Sequence, residues 1–154
     1  MIVYVIGSLR NPIIPKVSNE LEAAGYEVFS DWFAGGETAD DCWMAYEKAR
    51  GRTHREALEG YNAKHIFEYD RQHLDRADAG VLVMPAGKSG HIEMGYLAGR
   101  NKPTAILVNE EPERWDVMHL FAMYRCWSVE ELIETFRVHM KRRGVSMAPW
   151  NGDR

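Results

Sequence analysis

Apolar and polar positions follow one another along this chain in blocks whose period changes from strand to helix and back. Ile2-Val3-Tyr4-Val5-Ile6 is a continuous apolar run stopped by Gly7, the pattern of a strand buried on both faces of a parallel sheet. Pro12 and Pro15 suit the first turn of a helix running to about Ala24, with Ile14, Val17, Leu21 and Ala24 on one face and Gly25 as its stop. Tyr26 to Ser30 reads as a second strand, and residues 31–40 as a Gly-rich loop. Helical material follows from Asp41 to about Arg50. A longer helix runs from about Thr53 to Ala77 with apolar Ala57, Tyr61, Ile66, Phe67 and Leu74, and Gly60 allows a bend or a break in it. Val81-Leu82-Val83-Met84 is the third and most hydrophobic strand, Pro85 to Gly90 a turn, His91 to about Gly99 a helix, and Thr104 to Val108 a strand. Residues 113–124 are compatible with helix, and Arg125 to Trp127 with a short strand. Ser128-Val129-Glu130-Glu131 is a capping box that opens the last helix, Val129 to about Arg142.

Strands alternating with helices predict an α/β fold: a doubly wound, mostly parallel five-stranded sheet with helices on both faces, of the flavodoxin or Rossmann-like kind. A single domain over residues 1–154 is expected, with no repeat and no low-complexity linker. Ligands bind such sheets beyond the carboxyl ends of the strands, so loops 7–11, 31–40 and 85–93 should converge on one crevice. A hydrophobic content of 45% and a charged content of 27% exclude a disordered chain. Cys42 and Cys126 lie far apart without ligand spacing and read as reduced core or boundary thiols, which suits a cytoplasmic protein. The first residues read as a strand rather than a signal peptide, and no window approaches the ~20 apolar residues of a membrane span, so no membrane partner is expected. Net charge is −4, and the one basic cluster, Lys141-Arg142-Arg143, sits where it complements a helix C-terminus. Duplex nucleic acid is therefore disfavoured as a partner.

Three segments at the expected strand ends carry chemistry. In the first, Gly7 and Ser8 offer backbone N–H groups and a hydroxyl, Arg10 a planar fork and Asn11 an amide, a set able to cradle a phosphate or sugar hydroxyls. The competing reading is a plain turn. The second, Gly87-Lys88-Ser89-Gly90-His91-Ile92-Glu93, places a carboxylate in the expected first turn of a helix, where the helix dipole favours its ionised form as a nucleophile requires. Gly87, Ser89 and His91 border that carboxylate; His91 either touches a ligand or is structural. Gly95 and Gly99 in the same helix suggest close approach by a neighbouring element. In the third, Asp70 shares a helical face with Leu74 and Ala77 and should point inward, whereas Glu68 and Asp75 read as solvated. A second carboxyl near Glu93 can hand a proton to a leaving group. Trp32, Phe33 and Trp43 either stack on a ligand or brace the long loop, and Trp115, Trp127 and Trp150 carry no functional argument. No His/Asp/Glu cluster has metal-ligand spacing, so neither a metal nor another cofactor is expected.

Taken together, these segments resemble the nucleoside 2-deoxyribosyltransferase superfamily, which also contains the 2′-deoxynucleoside 5′-phosphate N-hydrolases. The resemblance rests on Tyr4 two positions before the end of the first strand, on Asp-x-x-x-Leu-x-x-Ala-Asp from Asp70 to Asp78, and on Glu-x-Gly-Tyr from Glu93 to Tyr96 followed by Gly-x-x-Lys-Pro from Gly99 to Pro103. These lie in the family's order and spacing and cover roughly residues 2 to 108. The resemblance implies that Glu93 attacks the anomeric carbon of a nucleoside or nucleotide, that Tyr4 orients Glu93, and that Asp70 assists the departing base. It also implies a homodimer or higher homo-oligomer. Gly87 departs from the Asp that deoxyribosyltransferases carry six residues before the nucleophile. The run Gly7-Ser8-Leu9-Arg10 is closer to the nucleotide hydrolases, whose first-loop Arg meets the 5′-phosphate and which carry Ser where Gly87 stands.

Retaining cleavage through a covalent sugar intermediate fits this set of residues. Two other classes stay open on the sequence: a nucleotide-sensing module using only the Gly7–Arg10 loop, and a partner-binding domain with merely solvated acidic residues. An enzyme requires Glu93, Asp70 and Tyr4 to share one cleft.

Overall fold

The computed structural model of the chain describes residues 1–144; Trp150 and the end of the expected domain lie outside the described residues. Strand β1 (Ile2–Ile6) leads through helix α1 (Ile14–Ala23) to β2 (Glu27–Phe29). A short 3-10 helix, Asp31–Gly35, then precedes α2 (Ala39–Ala49), α3 (His54–Leu58) and α4 (Tyr61–Arg76). Strand β3 (Ala79–Val83), helix α5 (Lys88–Gly99) and strand β4 (Thr104–Leu107) follow, and β5 (Tyr124–Cys126) and α6 (Val129–Arg142) close the described fold.

The five strands pair in the order β2-β1-β3-β4-β5, and every pairing is parallel. The chain winds one way from β1 to β2 and the other way from β3 to β5, so the topological switch lies between β1 and β3. Alternate residues of each strand serve opposite faces. Val3, Val5, Val81, Val83, Ala105 and Leu107 pack with Ile14, Val17 and Leu21 of α1 and with Leu132, Phe136 and Met140 of α6. Tyr4, Ile6, Leu82 and Ile106 face the other way, onto Leu74 of α4 and Met94 and Leu97 of α5. This second layer positions the site.

Gly80 lies beside Tyr4 in the β1–β3 register, and a Cβ there would collide with Leu97 Cδ1. The missing side chain lets Leu97 seat against the sheet. Gly90 repeats the device at the start of α5, where a Cβ would stand 3.1 Å from Leu82 Cδ1 and 3.3 Å from Ile6 Cγ2. Gly95 and Gly99, expected to meet a neighbour, have no such contact within 4 Å among the described residues. They lie on the outer side of the helix.

Other departures from the sequence reading have local causes. The long helix expected from Thr53 to Ala77 is two helices: a Thr53–Glu56 capping box starts α3, and Gly60 takes the extended conformation that restarts the chain as α4. Helix α5 begins at Lys88 rather than His91, shortening the turn after β3. Within residues 113–124 the helical part is a single 3-10 turn, Val117–Phe121, whose Met118 amide donates to Asp116 Oδ1, and Tyr124 already begins β5. In the last capping motif Ser128 accepts from the Glu131 amide, while the Glu131 carboxylate accepts from the Trp127 amide rather than that of Ser128. Among the described residues no helix is long and apolar enough to cross a membrane.

Candidate active site between two helices

Glu93 is the sixth residue of α5, so it stands in the second turn and not the first. At ~1.5 Å of rise per residue it lies about 7 Å along the helix from its start. Tyr4, fully buried in the middle of β1, reaches it there: its hydroxyl donates to Glu93 Oε1 at 3.5 Å, a long hydrogen bond suited to orienting the carboxylate. Burial, then the nearby charges of Glu93 and Asp70, push the Tyr4 phenol far above its ordinary range, so Tyr4 keeps its proton and can donate a hydrogen bond to the carboxylate.

Burial also governs the two carboxyls. It pushes Glu93 up to about 7, with the charge of Asp70 adding to the rise and the Tyr4 hydroxyl opposing it. Asp70, half-buried on α4, is pushed up to about 6 by burial alone. The helix dipole was expected to keep Glu93 ionised; its position in the second turn removes it from that influence, which fades after the first turn. The charge of Asp70 is thus close enough to raise both Glu93 and Tyr4, and both carboxyls titrate above the ordinary carboxylate range.

The loops after β1, β2 and β3 touch one another. Asn11 is buried and uses its amide donors on the carbonyls of Val83 and Pro85, tying the end of β1 to the end of β3, while its Oδ1 accepts from the Ile13 amide. Ser8 Oγ accepts from the Arg10 amide, and the Asn11 amide returns to the Ser8 carbonyl, so the loop closes on itself. Gly7 admits the Ile14 side chain, whose Cδ1 would lie 2.5 Å from an added Cβ. Trp32 donates its indole N–H to the Val5 carbonyl at 2.8 Å and packs edge-on against Phe33. Here Trp32 braces the loop. Arg10 points outward, 68% exposed, and pairs with Asp41 of α2 at 3.0 Å. Gly87 caps α5 without a side chain, and Ser89 is exposed in its first turn. Trp43, half-buried in α2, has an indole nitrogen without a partner among the described residues.

Several neighbours of the site were not evident from the sequence. His91 Nδ1 lies 2.8 Å from the Gly87 carbonyl, which makes it the donor, and its Nε2 lies 3.2 Å from Nε2 of His119. The two rings are within 15° of parallel with centroids 5.5 Å apart, which joins the 3-10 turn to the start of α5. On the α4 side, Phe29 stacks on His73 at 3.7 Å, with Tyr4 and Tyr69 packed around Phe29. Tyr69, exposed beside Asp70, is the one member a sequence could flag, as an aromatic next to a candidate acid. Asp75, read as solvated, instead accepts from Tyr96 Oη at 2.6 Å and pairs with Arg71 and Arg100. Cys42 is exposed and Cys126 buried, and both are free thiols. Among the described residues no cluster of three or more His, Cys, Asp or Glu is placed to hold a metal ion. A cavity of about 520 Å³ at the α3–α4 junction, lined by Arg52, Glu56, Glu59 and Lys64 among others, includes none of the candidate residues. No family model and no curated protein matches the chain.

A carboxyl whose folded pKa is raised stabilises the fold fully below its unfolded value and loses that contribution as pH rises through the folded value. For Glu93 the window runs from about 4.5 to about 7. Wild-type stability should therefore fall between pH 5 and pH 8. Glu93→Gln should remove much of the fall, gaining on the order of 2 kcal/mol at pH 8 and little at pH 5. Denaturant unfolding at the two pH values measures this; equal gains at both would mean that Glu93 is not buried as described.

Proposed function

We propose that the chain cleaves the N-glycosidic bond of a 2′-deoxyribonucleoside or its 5′-monophosphate through a covalent intermediate on Glu93. The observation that supports this reading is a half-buried carboxyl, Glu93, bonded to the protonated Tyr4 phenol and near enough to the raised Asp70 carboxyl to feel its charge. The Glu93 carboxylate attacks C1′ of the sugar. The C1′–N bond breaks, its electrons pass to the base, and the Asp70 carboxyl supplies the proton the base takes up. Water, giving its proton to Asp70, or a second base then attacks C1′ and frees Glu93. Tyr4 fixes which oxygen of Glu93 faces the sugar. No step needs a metal or a further cofactor, and the two free thiols suit a reducing, cytoplasmic setting.

Activity then needs the proton on Asp70 and the charge on Glu93, the minor arrangement because Glu93 is the more basic of the two, and base release should follow a bell-shaped pH profile with its maximum between about 6 and 7. Asp70→Asn should abolish the alkaline limb and move the acidic limb to lower pH, because Asp70's charge raises Glu93. Glu93→Gln should lose at least ~100-fold in base release with the fold intact. Chromatography of free base from deoxynucleosides and deoxynucleotides reads all three; near-native turnover by a folded Glu93→Ala protein would remove the nucleophile assignment.

Arg10 supports a 5′-phosphate as part of the substrate. Its ion pair with Asp41 is exposed and worth ~0–1 kcal/mol, whereas charge-assisted hydrogen bonds to a phosphate are worth roughly 1.5–3 kcal/mol, so a phosphate can displace Asp41. The wild-type protein should prefer a deoxynucleoside monophosphate to the nucleoside by about 10- to 100-fold, and Arg10→Ala should erase most of that preference. Equal rates on both by the wild type would end the phosphate assignment.

The protein's own partner is a second copy of the chain. Trp115, Val117, Leu120 and Phe121 around the 3-10 turn, Ile92 on α5 and Phe67 on α4 are all exposed apolar side chains. Sedimentation should find a dimer or larger species at micromolar concentration; a monomer there would refute it.

A further inference from the structure

Glu93 and Asp70 ride on different helices, and the sheet seats each helix separately, α4 through Leu74 and α5 through Met94 and Leu97. Side chains close the seam between them. Tyr96, one turn beyond Glu93 on α5, donates its hydroxyl to Asp75 Oδ1 of α4 at 2.6 Å, the shortest bond across this seam. Arg100 Nη1 reaches the same Tyr96 oxygen at 3.0 Å, and Arg71 holds the other Asp75 oxygen at 2.8 Å. Lys102, just before β4, donates to the carbonyls of Leu74, Asp75 and Ala77, fixing the end of α4 on which Asp75 stands. The Tyr96 hydroxyl is the largest cause of a lowered Asp75 pKa, and its bond to Asp75 raises its own.

We propose that Tyr96 and Asp75 are positioning residues whose hydrogen bond sets the spacing of α4 and α5 and thereby the separation of the Asp70 and Glu93 carboxyls. The proposal rests on the reading that these two carboxyls carry the cleavage. Neither Tyr96 nor Asp75 touches the reacting atoms. They act through the carboxyls. With the bond removed, α4 is free to ease away from α5 and the charge of Asp70 weighs less on Glu93.

The test replaces Tyr96 by Phe, which keeps the ring and removes only the hydroxyl. Carboxylate titration followed by carbon NMR on the substrate-free protein should show Glu93 titrating at lower pH than in the wild type. Base release should lose about 10-fold in kcat with KM little changed, as a small misplacement of reacting groups implies. Asp75→Asn, which keeps an oxygen to accept from Tyr96, should stay near wild type in both readouts, while Asp75→Ala should match Tyr96→Phe. An unmoved Glu93 titration in folded Tyr96→Phe protein would overturn the proposal, even if its melting temperature fell. Asp75→Asn behaving like Asp75→Ala would also overturn it, since charge and not the hydrogen bond would then hold the seam. A shifted titration in a protein that releases no base from any deoxynucleotide would support the clamp while removing the cleavage reading.

Discussion

Because β3 carries glycine where β1 carries Tyr4, Leu97 sinks into the gap and draws α5 onto the sheet, and Gly90 lets the first turn of the same helix follow. Leu97 is fully buried as a result, and Met94 nearly so. Fully burying a side chain of this size is worth roughly 1.5–3 kcal/mol, so the seating is held firmly without any polar contact. Glu93, one residue before Met94, is carried inward with it. The depth of the carboxylate is thus a consequence of apolar packing elsewhere on its helix.

Magnitude decides what that depth does. A helix dipole favours a nearby anion by ~0.3–1 kcal/mol, less than one pKa unit at about 1.4 kcal/mol per unit. Burial, helped by the charge of Asp70, moves Glu93 from 4.5 to about 7, which is larger and opposite in sign. Desolvation wins, and Glu93 becomes a carboxyl that titrates near neutral pH instead of a fixed anion. The Tyr4 hydroxyl tempers the rise and selects one carboxylate oxygen. Phe29, stacked on His73, joins β2 to α4 through an aromatic contact.

The fold was largely legible because hydrophobic period tracks burial directly. The run Ile2–Ile6, the stop at Gly25 and the Ser128 start of α6 each carry a local physical signal. What escaped was decided by contacts distant in sequence. Gly95 and Gly99 look like close-packing glycines, yet the close approach falls at Gly80 and Gly90, because only the rotation of α5 decides which side of it meets β3. Glu93 and Asp70 could be singled out through residue type and helical position, and Tyr4 through the family resemblance alone. The pairing of Arg10 with Asp41, of His91 with His119 and of Asp75 with Tyr96 joins residues 21 to 31 positions apart, which no local pattern encodes. Asp75 shows the limit well: on a charged helix it reads as solvated until its neighbouring helix is in place.

Lys102 has one ammonium nitrogen and three hydrogens, and each is spent on a different carbonyl at the end of α4. That accounts for its whole donor capacity in a single tetrahedral point. A guanidinium spreads its hydrogens over a plane and cannot meet three carbonyls that surround one atom. Acetylation would leave one hydrogen for three acceptors and cancel the charge that faces the helix terminus. The position is therefore closed to arginine and to acylation alike, and its chemistry is dictated by a helix end that belongs to another part of the chain.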